Sequence, residues 1–258
     1  MMMEFLVVVF GAVIGSFLNV CIHRFPLEKS VIYPGSHCPE CEQPVRWFDN
    51  IPLLSYVFLR GKCRQCSLRI PLRYFFVEAA CALIWFSFLQ RHGFTPAFVG
   101  GSVLFTLLLA VTVTDLETGL IPDAFTFTGV LCGLGWAALE PARFGQAASG
   151  GGIERSLLGL AAGSGILWLT GWLGTRVFRK ESMGLGDVKL MAFLGAFLGI
   201  KKIVLVFLMA PFFALPVALY ARLAKKSETI PFGPYLAAAG ALLFLYGEPI
   251  IRLLGWTF

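Results

Sequence analysis

Two aspartates lie at the junctions between apolar and polar segments, where a carboxylate is costly to place. Asp115 follows an apolar run that ends at Thr114, and Asp187 follows Gly184-Leu-Gly and precedes another apolar run. Ionisable residues at or within membrane segments are expensive and usually functional. Two carboxyl groups that share a site can act as acid and base on one water molecule, because their mutual repulsion separates their proton affinities. Asp115 and Asp187 are therefore a candidate catalytic pair, although 72 positions separate them.

The two aspartates are expected at opposite ends of helices. Asp115 is predicted to close the third apolar segment, where the helix C-terminus disfavours negative charge, and Asp187 to open the sixth, where free N–H groups favour it. We therefore expect Asp115 to hold the proton, unless strong coupling makes it shared. Asp187 alone could also be an ordinary helix N-cap. Asp123, after Pro122, is interpreted as a helix-favouring acid, and Glu117 as a solvated turn residue.

Four cysteines form a second candidate site. The pattern is Cys38-Pro-Glu-Cys41, twenty-one residues, then Cys63-Arg-Gln-Cys66. Two such pairs suit a tetrahedral zinc ion held by four thiolates, and a closed site of this kind is structural because no coordination position is open. A pair of redox centres is the alternative, but cytoplasmic thiols are kept reduced. Zinc would also supply folding energy to a polar loop that lacks a core. His37 is interpreted as a bystander.

The composition places these residues in a membrane protein. The 258 residues are 57% hydrophobic and only 14% charged, whereas a soluble domain has roughly a quarter of its residues charged. The first apolar run is expected to remain as a span, since its basic residues follow it instead of preceding it. The net charge of +6 lies in a few loops, as expected for cytoplasmic loops, and does not indicate nucleic-acid binding. We expect the apolar segments to be surrounded by membrane lipid.

Eight apolar segments predict an all-α polytopic membrane protein with about eight transmembrane helices. They lie at 3–22, 73–90, 97–114, 122–139, 156–176, 188–200, 203–222 and 232–248. The segment 188–200 is short against the roughly 20 residues that a span needs, so it is predicted to be tilted, re-entrant or sheltered by neighbours. The expected organisation is a first transmembrane helix at 1–22, a zinc-binding loop domain at 23–73 and a transmembrane catalytic domain at 74–258.

Basic residues predict the orientation of these spans. The segment 23–73 is rich in Lys and Arg, which predicts a cytoplasmic location. Alternation then puts 115–121, 177–187 and 223–231 on the same side. The basic residues that agree are Arg176, Arg179, Lys180, Arg222, Lys225 and Lys226. Lys201 and Lys202 fall on the opposite side and are the exception.

With these residues in view, the sequence resembles the bacterial type IV prepilin peptidase family along nearly its whole length. The matching stretches are Gly15-Ser-Phe-Leu-Asn19 through His23-Arg24, the four cysteines, Trp47-Phe-Asp-Asn-Ile-Pro-Leu-Leu-Ser55, Arg60-Gly-Lys-Cys63, the Asp115 segment through Ile121-Pro122-Asp123, Gly184-Leu-Gly-Asp187-Val-Lys189 and Pro231-Phe-Gly-Pro234. The aspartate motifs together with the cysteines are specific. The glycine motif alone is weaker, because presenilin-like proteases also carry it.

The resemblance implies a bifunctional enzyme of the bacterial inner membrane whose active site faces the cytoplasm. It implies that Asp115 and Asp187 are catalytic and that Cys38, Cys41, Cys63 and Cys66 bind zinc. Such enzymes cut the leader from prepilins and pseudopilins, then N-methylate the new terminus with S-adenosylmethionine. No residue pattern identifies the site of the methyl donor.

Three other functions remain open from the sequence. A presenilin-like intramembrane protease would use the same two aspartates on different substrates. A proton-coupled transporter would place its acids near the bilayer midplane, whereas these acids are predicted at an edge. A zinc-loop scaffold would tolerate the loss of Asp115.

Overall fold

The computed structural model describes residues 1–145, 149–179, 183–224 and 230–255, and over these ranges it is helical, with two isolated β-bridges and no sheet. Lys180, Lys225 and Lys226 lie outside the described residues. The helices are α1 (Met2–Arg24), α2 (Leu54–Phe58), α3 (Leu72–His92), α4 (Pro96–Thr118), α5 (Asp123–Leu139), α6 (Ser149–Phe178), α7 (Leu185–Leu223) and α8 (Gly233–Leu253). The predicted all-α fold class is confirmed.

The eight predicted segments correspond to seven helical elements, six of which are long enough to cross a membrane. Six helices of the described ranges are long and apolar enough to cross a membrane, namely α1, α3, α4, α6, α7 and α8, and α5 is shorter with 17 residues. The predicted segments 188–200 and 203–222 belong to the single 39-residue element α7. They are nevertheless two helical halves, because Gly199 interrupts them with a non-helical conformation (φ 72°, ψ 176°).

The chain folds back on itself at Gly199. A Cβ atom added to Gly163 of α6 would lie 2.5 Å from the carbonyl oxygen of Met191 and 2.8 Å from Cγ1 of Ile203. Twelve residues of continuous helix would separate Met191 and Ile203 by about 18 Å. Both halves of α7 therefore pack against the same point on α6, and the positive φ at Gly199 makes the reversal possible.

The first of two units, Met1–Ala110, contains the cysteine loop and the helices that hold it. Helix α1 packs closely on α3, since a Cβ added to Gly15 would lie only 2.7 Å from the Cα of Glu78. Small residues allow such close helix approach in membranes. The side-chain amide of Asn19 donates to the carbonyl of Tyr74 (3.0 Å), and Leu53 N–H donates to the carboxylate of Glu78 (2.7 Å). The first bond thus joins α1 to α3, and the second fastens the loop to α3.

The second unit, Val111–Phe258, contains the end of α4 and helices α5 to α8. The first half of α7 is buried among its neighbours: Phe193 and Leu194 have no exposed surface. Glycines on the surrounding helices make room for it, as Gly129 does for Phe193 and Gly240 for Leu194. This buried helix begins at the Asp187 segment, which gives that aspartate a rigid support.

Candidate active site and metal site

Asp115 lies in the last turn of α4 and is only 5% exposed. Its carboxylate oxygen Oδ2 accepts a hydrogen bond from the backbone N–H of Gly233, at the start of α8 (2.8 Å). A Cβ atom on Gly233 would lie 2.6 Å from that oxygen. Only glycine allows the backbone to come this close, so the hydrogen bond to Asp115 requires glycine at position 233.

Asp187 lies in the first turn of α7 and is half-buried. Its carboxylate accepts a hydrogen bond from the backbone N–H of Gly184, which precedes the helix. This is the contact that an acid three residues into a helix makes in a capping box. Asp187 therefore opens the helix as predicted, but from a position within the first turn and not as the N-cap residue itself.

The two aspartates lie close enough for the charge of Asp115 to act on Asp187. Ile121 lies between the segments that carry them: Cβ atoms added to Gly186 and Gly233 would lie 3.1 Å and 3.0 Å from the Ile121 side chain. The turn after α4 and the starts of α7 and α8 thus meet at one place. Each carboxylate accepts a hydrogen bond from a backbone N–H, so position in the helix alone does not show which of the two is protonated. That Asp115 holds the proton stays a prediction.

Two contacts at this site were not predicted from the sequence. One is the hydrogen bond from the Gly233 N–H to Asp115. The sequence indicated this segment, Pro231-Phe-Gly-Pro234, but not its role. The other is an ion pair in which Lys189 Nζ contacts both carboxylate oxygens of Asp123 at 2.6 and 2.8 Å. Asp123 begins α5, as expected of a helix-favouring acid, but it also links α5 to α7 two residues beyond Asp187. Glu117 is exposed, in the last turn of α4.

The four predicted cysteines form one cluster in the first unit. The Sγ atoms of Cys38, Cys41, Cys63 and Cys66 all lie within 4.8 Å of one another. Backbone N–H groups of Cys66 and Gln65 lower the pKa of the Cys63 thiol to about 7, whereas desolvation and the neighbouring thiols raise the pKa of Cys66 to about 12. The cluster therefore ionises first at Cys63, and the thiolate is the form that binds metals. Four convergent thiols with N–H donors fit a zinc ion. His37 bonds to the carbonyl of Gly35 through its ring, outside the cluster.

The two cysteine pairs sit in turns of the same geometry. In each turn the first cysteine N–H donates to a carbonyl five residues later: Cys38 to Gln43 (3.0 Å) and Cys63 to Leu68 (2.8 Å). In each turn the carbonyl of that cysteine accepts the N–H four residues later. Isolated bridges, His37 with Pro44 and Lys62 with Arg69, close the turns at equivalent places. The loop therefore contains two copies of one turn, 25 positions apart, that were not predicted from the sequence.

The fold and the two clusters define a polytopic helical membrane protein with a four-thiol site and with two aspartates, one buried and one half-buried, on segments that meet at Ile121. Family models agree with this class: residues 9–92 match the bacterial peptidase A24 N-terminal domain, and residues 102–219 match the type IV leader peptidase family. The chain belongs to the type IV leader peptidase family, as the resemblance indicated.

Curated relatives match nearly the whole chain. The prepilin leader peptidase/N-methyltransferase of Burkholderia pseudomallei is 34% identical over 96% of this chain and 87% of the relative. The proteins of that name from Stutzerimonas stutzeri and Pseudomonas aeruginosa are 36% and 35% identical, over 94% and 95% of this chain and 90% and 91% of theirs. No solved structure matches the chain. The presenilin-like and transporter alternatives find no support among these relatives.

Proposed function

We propose that this protein is an aspartic endopeptidase that removes the leader peptides of type IV prepilins or pseudopilins. Asp115 and Asp187 are its catalytic pair. The observation that carries this proposal is the meeting of three segments around Ile121, with Asp115 buried and bonded to the Gly233 N–H and with Asp187 next to Gly186 on one of these segments. The relatives that span nearly the whole chain bear the matching activity in their names.

The chemistry follows from the pair acting on one water molecule. One ionised carboxylate takes a proton from the water as its oxygen attacks the peptide carbonyl, and the protonated carboxyl donates to the carbonyl oxygen. As the C–N bond breaks, the proton taken from the water passes to the leaving amine, and the other carboxylate takes its proton back from a hydroxyl of the tetrahedral intermediate. Such proton transfer accelerates a reaction by typically 10²–10⁴-fold for each positioned group. The hydrogen bond from Gly233 keeps the Asp115 carboxyl in one orientation during these steps.

The cysteine cluster has a separate, structural role in this proposal. Zinc bound by Cys38, Cys41, Cys63 and Cys66 joins two turns of a loop that is mostly exposed. The metal would stabilise this loop where apolar burial is insufficient. The second activity in the relatives' names is methyl transfer, and we infer that this chain N-methylates the new terminus with S-adenosylmethionine. The site is proposed to face the cytoplasm, at the edge of the bacterial inner membrane.

A cleavage assay tests the proposal directly. Purified protein in detergent is incubated with a synthetic prepilin that carries its leader, with and without S-adenosylmethionine. Mass spectrometry should detect leader removal in both samples, and the added mass of one methylene group on the mature peptide only with the methyl donor. An intact prepilin after incubation with zinc-loaded protein would refute the peptidase assignment. Cleavage with no added mass would restrict the function to proteolysis.

A further inference from the structure

A groove of about 280 Å³ lies in the first unit, between α1 and the segments on either side of the first cysteine pair. One wall is a stripe along one face of α1, formed at helical spacing by Val13, Ser16, Phe17, Val20 and Arg24. The other wall comes from residues within 31–36 and 50–52 of the loop. Val13 and Phe17 are about half exposed, at 50% and 56%, so the groove opens on the side of a membrane span.

The α1 wall of the groove has the length of one lipid leaflet. Eleven positions of helix separate Val13 from Arg24, a distance of about 16 Å. Half of a typical hydrocarbon core is about 15 Å thick. Arg24 follows the apolar segment 3–22, and Val13 lies near the middle of that segment. The wall therefore extends from the headgroup level at Arg24 to the region of the bilayer centre at Val13.

The loop wall lies beside the span and not above it. The N–H of Leu53 donates to the carboxylate of Glu78 (2.7 Å), and Glu78 packs directly against Gly15 of α1. Gly15 lies nine positions, or about 13 Å, before Arg24. Irregular backbone at such a depth must have its polar groups satisfied within the protein, as the Leu53 N–H is, and Pro52 has no N–H to satisfy. The groove is thus enclosed by protein on two sides within one leaflet.

Arg24 places a buried positive charge at the headgroup end of the groove. The side chain is only 8% exposed, and its guanidinium donates to the carbonyls of Ser30 (2.8 Å) and Gly35 (3.2 Å). Within the described ranges, no carboxylate forms an ion pair with it. Arginine is almost never fully buried unless it is paired, and a guanidinium has five N–H donors, so donors remain after these two bonds. An anionic group at this end of the groove would supply the missing counter-charge.

The α1 wall beyond Arg24 offers almost only apolar surface, from Val20 through Phe17 to Val13. Ser16 is the exception, but its hydroxyl is already hydrogen-bonded to the carboxylate of Glu78. A ligand that fits this wall therefore has one anionic head and a long apolar tail.

We propose that this groove binds one anionic phospholipid, with its phosphate on Arg24 and one acyl chain along α1 as far as Val13. Guanidinium and phosphate groups match in a geometry of two parallel hydrogen bonds, and basic pockets at the cytoplasmic side of membrane helices bind phospholipid headgroups. Ser36 and Asn50 line the loop wall and can donate to phosphate or glycerol oxygens. A free phosphate would meet the same donors but would leave the apolar wall uncovered.

A lipid in this groove would join α1 to both loop segments that flank Cys38 and Cys41. It would hold the cysteine loop against the membrane, in addition to the hydrogen bond between Leu53 and Glu78. The lining lies wholly within Met1–Ala110, and lipid binding does not require the aspartate chemistry. Occupancy of the groove is therefore independent of the peptidase proposal.

Native mass spectrometry of the delipidated full chain in detergent tests this site. Phosphatidylglycerol and phosphatidylcholine with identical chains are titrated, and the affinity for the first bound lipid is measured. The wild type should bind phosphatidylglycerol at least fivefold more tightly, as expected for one arginine facing an anionic headgroup. Arg24→Gln should lose this preference. Val20→Trp, which fills the groove and leaves the Arg24 bonds in place, should bind both lipids at least tenfold more weakly.

Arg46→Gln and Val9→Trp are the matched controls. Arg46 is an exposed arginine of the same loop, and Val9 is an exposed residue of α1 outside the groove. Both variants should keep the affinities and the preference of the wild type. Glycerol 3-phosphate, which has the anionic head without the chains, should not displace the bound lipid. Circular dichroism of the helices and zinc content show whether each variant is folded, and if Arg24→Gln is not, Val20→Trp decides.

Three results would overturn the proposal. The first is equal affinity of the wild type for the two lipids, or unchanged binding in a folded Arg24→Gln or Val20→Trp variant. The second is displacement of the lipid by glycerol 3-phosphate, which would indicate a site for a soluble anion. The third is displacement of the lipid by a prepilin peptide, one for one, which would assign the groove to the apolar helix of the substrate.

Discussion

In the proposed mechanism, the carboxyl groups of Asp115 and Asp187 must differ in protonation to activate water, so neither can be replaced by an amide. We expect Asp115→Asn and Asp187→Asn each to abolish cleavage, by more than the 10²–10⁴-fold that one positioned acid or base contributes. The double variant should be hardly worse than either single variant, because the pair acts as a unit. Initial rates of leader removal from a purified prepilin measure all three.

Glu117→Gln is the matched control for these changes, because Glu117 is an exposed acid two residues from Asp115. Its rate should be close to that of the wild type, and zinc content should be normal in every variant. Near-normal cleavage by Asp115→Asn would contradict the mechanism and would return the chain to a scaffold role.

Gly233 is expected to tolerate no larger side chain without a loss of activity. A Cβ atom there would lie 2.6 Å from Asp115 Oδ2, so Gly233→Ala must displace either the carboxyl group or the start of α8. Misplacement of a reacting group by about 1 Å can cost roughly 10²-fold, and we expect a loss of that order in kcat. Gly135→Ala is the control, since a Cβ there meets nothing within 4 Å. Equal rates for the two variants would show that the Gly233 contact is dispensable.

Site residues were predictable from the sequence where a side chain differs in polarity from the segment around it. An acid at the end of an apolar run, such as Asp115, and four cysteines in a polar loop both stand out in the sequence. The hydrogen bond from Gly233 does not, because a backbone N–H has no residue type and lies 118 positions away from Asp115. The contact between Lys189 and Asp123 was missed for a related reason: each charge already had an adequate local explanation at a helix start.

Among the elements, the cysteine loop is the one whose order is proposed to depend on a metal. A Cys41→Ser/Cys66→Ser double variant should lose its zinc, because one ligand is removed from each turn. Proteolysis in the loop should increase and methyl transfer should fall, while part of the cleavage activity remains. Metal analysis and limited proteolysis measure the first two effects. Cys132→Ser, at a cysteine outside the cluster, should leave the zinc content unchanged; full zinc occupancy in the double variant would refute the four-thiol site.

The ion pair between Asp123 and Lys189 links the start of α5 to the start of α7. Both side chains are substantially exposed, at 72% and 46%, so its contribution to stability should be small, about 0–1 kcal/mol. Its effect on cleavage should be larger than this, because Lys189 lies two residues from Asp187. We expect Lys189→Gln to lower kcat several-fold, and Asp123→Lys/Lys189→Asp to recover part of the loss. A double-mutant cycle on kcat without coupling would show that the pair has no positioning role.

The helices themselves follow from the apolar runs, and the sequence predicted most of them within a few residues. The reversal at Gly199 was not predicted, since the chain contains 28 glycines and many of them lie inside helices. What distinguishes Gly199 is its positive φ, which depends on the helices around it. The short apolar segment 188–200 was nevertheless expected to be unusual, and its burial in the second unit agrees with shelter by neighbouring helices.

For the whole molecule, the distribution of basic residues predicts which loops face the cytoplasm. Reporter fusions at Gly35, in the cysteine loop, and at Gly150, at the start of α6, should report opposite sides of the membrane. A phosphatase reporter active outside the cytoplasm and a fluorescent reporter active inside it give complementary readouts. Activity of the same reporter at both positions would mean that the number of spans between them is wrong.

One of the two lysines that depart from that distribution, Lys202, has a structural explanation. Lys202 lies just after the reversal at Gly199, and its Nζ contacts Glu248 Oε1 of α8 at 2.7 Å. Its side chain is only 11% exposed. A cation that is paired and largely buried presents less free charge to the membrane interface than an exposed one. Lys202 should therefore contribute little to the orientation of the chain.

The length of α5 has a consequence for the surrounding lipid. Its 17 residues extend for about 26 Å, which is shorter than the hydrocarbon thickness of a typical bilayer, about 30 Å. A short span is accommodated by local thinning of the bilayer. The charged pair at its start would hold that end at the headgroup level, so the thinning would bring headgroups and water inward on the side of α5 and α7. The lipid itself would then help a peptide bond just outside the apolar part of a substrate helix to reach the two aspartates.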